Sequence, residues 1–174
     1  MNTKNLVLMA LLVGVGAALY VAIPGFNGGM KPDFMLTMMF VGILLFPDKK
    51  SVFLLGLSTG VLSGLFSTFP SGFIPNVVDK FITAFVFYGL LVILKNTGKK
   101  VAAAAVLSGI GTLISGTVFL SVAIFLIGVD LPFLLLFTTV VLPAIVINVV
   151  AFVIIYPIII GIVKRSKFET ALSN

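Results

Sequence analysis

Asn76, Lys80, Thr83 and Phe87 recur at i, i+4, i+7 and i+11, the spacing of one helix face. Asp79 flanks that face, about 100° round from Lys80. A carboxylate beside an ammonium in an otherwise apolar stretch has two readings. The pair can snorkel to water at the mouth of a helix. Alternatively it supplies one negative and one positive anchor for a solute that carries both signs, because ionisable groups in a membrane are costly and usually face a cavity. A second pair, Lys31 and Asp33, follows Gly28-Gly29-Met30. Adjacent glycines let a backbone fold closely over a ligand, or simply turn between helices. Asn148 stands alone in a long apolar run five residues after Pro143. A buried amide needs partners, so it either caps a carbonyl freed by the proline or lines a cavity, with Tyr156 two turns away on nearly the same face.

Other chemistry is missing. The chain has no His and no Cys, which removes the commonest general base, the commonest metal ligand and every thiol nucleophile. Gly56-Leu57-Ser58-Thr59-Gly60 matches G-x-S-x-G, but it falls inside an apolar helical run rather than a strand-to-helix elbow, and no imidazole is available to serve it. There is no G-x-x-x-x-G-K-[ST] loop, so any ATP-driven process needs ATP bound on another chain. These absences point away from an enzyme and predict neither a cofactor nor a metal.

The elements that must position these groups are membrane helices. Of 174 residues, 60% are hydrophobic and only 9% charged, against about 25% in a soluble domain, and mean hydropathy is +1.32. Apolar runs that can cross a bilayer are Leu6–Ile23, Phe34–Phe46, Ser51–Phe69, Val77–Leu94 and Val101–Ile127. A last run, Leu131–Val163, is too short for two spans and a turn, and reads as one long helix over 132–163, bent near Pro143. The first run continues to Ile23 and resembles its neighbours, so it reads as a retained helix rather than a cleaved leader. The second is short, and either borrows length from the glycine loop or sits where the bilayer thins. On these boundaries Asp79 and Lys80 fall in the first turn of the fourth span. The expected fold is an all-α membrane protein: one transmembrane domain of six helices over residues 1–174.

An even number of spans puts both termini on one side. That side carries Lys4, Lys49, Lys50, Lys95, Lys99, Lys100, Lys164, Arg165 and Lys167; the other holds only Lys31 and Lys80. The positive-inside rule then makes both termini cytoplasmic. The net charge of +6 is therefore topological and implies no nucleic acid. Small residues recur every four positions in the first helix at Ala10, Gly14, Ala18 and Ala22, and in the third at Gly56, Gly60 and Gly64. Such stripes let helices approach closely, within the protein or against a partner.

Several stretches together resemble one family. They are Gly28-Gly29-Met30-Lys31-Pro32-Asp33, Met38-Met39-Phe40, Phe46-Pro47, Phe69-Pro70-Ser71-Gly72, and Ile74-Pro75-Asn76 with Asp79-Lys80. The Ala-rich fifth helix through Ser121, Val141-Leu142-Pro143-Ala144 with Asn148, and Tyr156-Pro157 complete the likeness. The chain resembles the tryptophan transporter TrpP family, whose members look like substrate-binding S components of energy-coupling factor (ECF) transporters. That resemblance implies six helices, a site open to the outside under the first outer loop, and work alongside a membrane coupling subunit and two ATPase subunits. It also implies docking of the coupling subunit on a small-residue face of the first helix, matched here by Ala10, Gly14 and Ala18, and toppling of the S component to release substrate inside. For a zwitterionic substrate, Asp79 would take the ammonium and Lys80 or Lys31 the carboxylate. Asn76 and Asn148 would add neutral hydrogen bonds and Phe87 an apolar wall. The competing reading is a self-sufficient, ion-coupled secondary transporter of an amino acid or other small amphipathic solute, although residues 1–87 and 88–174 show no convincing repeat.

Overall fold

The computed structural model describes residues 3–24, 31–94, 100–166, 168, 170 and 171. Gly28, Gly29 and Met30, and with them Lys95, Lys99 and Lys167, lie outside the described residues. The described chain is all helical: α1 (Thr3–Ala22), α2 (Phe34–Leu45), α3 (Lys49–Leu65), α4 (Phe73–Ile93), α5 (Val101–Leu126) and α6 (Phe133–Arg165). Four of these, α1, α4, α5 and α6, are long and apolar enough to cross a membrane.

The two short helices behave differently from the four long ones. All 12 residues of α2 are buried. At 1.5 Å per residue α2 is only about 18 Å long, well under the ~30 Å hydrocarbon core. Its neighbours enclose it along its whole length, so its shortness needs no thinned bilayer; the glycine loop from which it was expected to borrow length lies outside the described residues. The third helix starts two residues before its expected position and stops four residues before it. Asp48 caps its start, accepting from Lys50 N at 3.1 Å and Ser51 N at 3.0 Å. At its end the chain leaves the helix at Phe66 and turns through Ser71, whose φ of 52° lies in the left-handed region.

The fourth helix begins at Phe73 rather than Val77. The sequence reading took Pro75 as part of a break, but proline is tolerated in a first helical turn, where its missing N–H would have no partner anyway. Asp79 and Lys80 are consequently in the second turn, deeper than expected. The bend expected near Pro143 takes the form of a π-helical segment at Phe137–Val141, just before it. The proline ring displaces the carbonyl four residues back and removes one donor, so the helix widens locally. The Thr138 and Thr139 hydroxyls donate to the carbonyls of Leu134 and Leu135 at 2.9 and 2.6 Å.

The two glycine stripes have different fates. Gly56, Gly60 and Gly64 press α3 onto α4: a Cβ on Gly60 would fall 3.0 Å from Val77 Cα, and one on Gly64 2.9 Å from the Phe73 carbonyl oxygen. Backbone against backbone leaves no flexible side chain to yield. Gly60→Val is expected to destabilise the bundle by about 1–3 kcal/mol, read as a lowered melting temperature in detergent. On α1 it is Gly16 that packs inward, against Phe34 and Met35 of α2. Ala10, Gly14 and Ala18 face outward and exposed, and a Cβ on Gly14 would meet nothing within 4 Å.

Candidate functional site

Asn76, Asp79, Lys80, Thr112, Ser115 and Asn148, all buried, gather at the end of the bundle where α3 gives way to α4 and α5 to α6. A cavity of about 390 Å³ opens there. Its lining runs from Tyr20 near the end of α1 to Asp33 and Leu36 at the start of α2, and on to Ser63 and Phe69 at and beyond the end of α3. Asn76, Asp79 and Lys80 of α4, Thr112 to Leu120 of α5, and Leu136 to Asn148 of α6 complete it. The volume lies within the ~300–1,000 Å³ usual for small-molecule pockets.

Lys80 is the hub. Its Nζ lies 2.7 Å from Asp79 Oδ2, 2.9 Å from Asp33 Oδ2 and 3.2 Å from Ser115 Oγ. Asp79 has no accessible surface, and both of its oxygens are engaged: Thr83 donates to Oδ1 at 2.9 Å, and Ser115 donates to Oδ2 at 2.8 Å alongside Lys80. The pair therefore does not snorkel to water. Asp33 is different, because its side chain keeps 31% of its surface. It is the N-cap of α2, accepting from Leu36 N at 2.9 Å, while its own backbone N–H donates to Asn148 Oδ1 at 2.8 Å. One residue thus ties α2 to α4 and α6. The three charged side chains that line the cavity sum to one negative charge.

Of the residues singled out by sequence, Asp33, Asn76, Asp79, Lys80 and Asn148 line the cavity. Thr83 lies behind Asp79 as a hydrogen-bond donor. Phe87 sits lower, stacked on Phe40 with ring centroids 4.2 Å apart, as part of the core. Lys31 stays at the rim: its Nζ donates to the Tyr20 carbonyl at 2.6 Å and lies 3.6 Å from the centre of that ring. Asn148 does not cap a carbonyl freed by Pro143; besides accepting from Asp33, it donates to Thr112 Oγ1 at 3.4 Å. Tyr156 stacks on Phe152 in the core, at 4.9 Å.

Ser115 and Thr112 are not among the residues the sequence singles out, yet both line the cavity. Their signal was their register: Ser108, Thr112 and Ser115 follow i, i+4, i+7, the template that marked α4. The apolar wall, including Met35, Phe69, Phe119, Leu120, Val140 and Val141, had no signal of its own. Phe69 and Phe119 meet edge to face at 5.1 Å and 78°.

Apolar helices enclose a cavity that carries opposite charges and an aromatic pair in its wall, the arrangement of a membrane protein with a small-molecule-sized pocket. A family model described as "Tryptophan transporter TrpP" matches residues 2–164, and the chain belongs to that family of transporters. It is 51% identical over 171 residues to the "Probable tryptophan transport protein" of Bacillus subtilis (strain 168), covering 98% of this chain and 99% of that one. Proteins of the same description from Clostridium acetobutylicum and Clostridium perfringens (strain 13 / Type A) are 38% and 32% identical, covering 90% and 95% of this chain and 91% and 96% of theirs. No solved structure matches the chain.

Proposed function

We propose that the chain is the tryptophan-binding S component of an ECF-type importer in the bacterial plasma membrane. It would cross the bilayer six times, keep both termini in the cytoplasm, and rely on a coupling membrane subunit and two ATPase subunits for energy. The observation that carries the binding half is the Asp33–Lys80–Asp79 line at the floor of an otherwise apolar cavity. The lysine excess at the opposite end of the chain's topology supports an outward-facing mouth.

A zwitterion fits this line by exchange. Its carboxylate replaces Asp33 on Lys80, and its ammonium takes the Asp33 oxygen so released, so one ion pair is given up and two are formed. Asp33, being part-exposed, is the better ammonium anchor. Asp79, with both oxygens committed, fixes Lys80 in place. Lys31 is occupied by Tyr20, which leaves the substrate carboxylate to Lys80. Pre-set partners of this kind lower the cost of ordering the site on binding. The indole lies in the apolar wall near Phe69 and Phe119, where aromatic contacts add to area burial.

The partner half rests on the chain's own lack of a phosphate loop, on the family likeness, and on the exposed Ala10–Gly14–Ala18 face, which admits close helix approach. Proteoliposomes test it. The purified chain alone should bind tryptophan but accumulate none under an imposed ion gradient; adding the coupling subunit and ATPases with ATP should start uptake. Gly14→Leu should keep binding and abolish that uptake. Gradient-driven accumulation by the chain alone would favour the ion-coupled reading instead.

A further inference from the structure

We infer that Asn76 is the acceptor for the indole N–H, and that this one hydrogen bond sets the preference of the site for an indole over ring systems of the same shape. The inference rests on the tryptophan-binding reading above. It comes from counting which polar atoms of the cavity remain available. Ser115 donates to Asp79 and accepts from Lys80. Thr112 donates to the Ser108 carbonyl and accepts from Asn148, whose own oxygen is held by the Asp33 N–H. Ser63 donates to the Met35 sulfur, and Ser67 accepts from Phe69 N.

Asn76 differs. It is buried, and its Nδ2 donates to the Gly72 carbonyl at 2.8 Å. That partner is an acceptor only, so the amide cannot be turned round. Its Oδ1 has no hydrogen-bond partner among the described residues, and Asn76 lines the cavity. That oxygen keeps some accessible surface although the residue is buried, so a ligand N–H entering the cavity can reach it, and a hydrogen bond made there is shielded from bulk water. Position agrees with chemistry. Asn76 stands four residues, about 6 Å of helix rise, above Lys80 on the same face, comparable to the reach of the indole nitrogen from the α-carbon of tryptophan. Three other hydroxyls on the wall accept no hydrogen bond among the described residues: Thr68, in the exposed turn after α3 where water can serve it, Tyr20 on α1 and Ser63 on α3, none of them on the Lys80 face of α4.

The test compares tryptophan with 3-benzothienylalanine, in which sulfur replaces the N–H, by equilibrium titration of the purified full chain. The parent should bind tryptophan about ten- to a hundredfold more tightly. Asn76→Ala should bring that ratio close to one, whereas Thr68→Val, Tyr20→Phe and Ser63→Ala should leave it unchanged. Equal binding of the two ligands by the parent would overturn the inference, as would a ratio that survives Asn76→Ala or disappears in Thr68→Val, Tyr20→Phe or Ser63→Ala. A parent that binds neither ligand removes the tryptophan reading itself. The ratio is an internal comparison, so partial loss of folded protein does not imitate the expected result.

Discussion

Lys80→Met is expected to weaken tryptophan binding roughly 30-fold to several thousandfold, the effect of about 2–5 kcal/mol for truncating one partner of a buried charge pair. Lys80 is 3% exposed and serves two carboxylates, so the loss is twofold. The substrate carboxylate loses its cation, and Asp33 and Asp79 are left facing each other without one. The folded bundle should suffer as well, because an uncompensated buried charge costs several kcal/mol. A second variant separates the two effects. Asp79→Asn combined with Lys80→Met removes one of the stranded charges and should recover much of the melting temperature, but none of the affinity. Calorimetric titration and thermal melting in the same detergent measure both. If Lys80→Met binds tryptophan as the parent does, the substrate carboxylate is held elsewhere.

The second large effect is at Asp33, where two roles share one side chain. Asparagine caps a helix about as well as aspartate, so Asp33→Asn keeps the start of α2 while removing the charge. It should cost about 1.5–3 kcal/mol of binding, roughly 10- to 150-fold in affinity, with little change in stability. Asp33→Ala removes the cap too, and should show a similar affinity loss plus about 1 kcal/mol of lost stability. Full affinity in Asp33→Asn would reduce the residue to a cap and return the substrate ammonium to another group.

The polar half of the site was legible in the sequence, and the apolar half was not. Asp79, Lys80 and Asn148 stand out because charge and amide are rare and costly among apolar residues, and helical spacing drew Asn76 into the same group. Ser115 escaped notice because a serine in an apolar helix can satisfy itself on a carbonyl one turn back, as Ser58 does on Leu54 at 2.6 Å. Phe119 and Val140 escaped because an apolar residue lining a cavity looks the same as one facing lipid. The expected starts at Phe34 and Val101 coincide with those of α2 and α5, each of which follows a charged break. The start of α4 was misplaced because Pro75 marks a first turn as readily as a break. The interior position of α2 was invisible for the same reason as the cavity wall: lipid and protein core are both apolar, so hydrophobicity does not say which of them surrounds a helix.

That position of α2 bears on how the chain is made. A segment of twelve residues is too short to be held across a bilayer by its own hydrophobicity. As the chain emerges from the ribosome, α1 can be retained in the membrane alone, but α2 depends on company: Gly16 of α1 on one side, and helices not yet synthesised on the others. Its insertion is therefore coupled to completion of the bundle, and Asp33, at its leading end, reaches Lys80 and Asn148 only when α4 and α6 have arrived. The candidate site is among the last features of the molecule to exist, so a chain that has formed it has finished assembling.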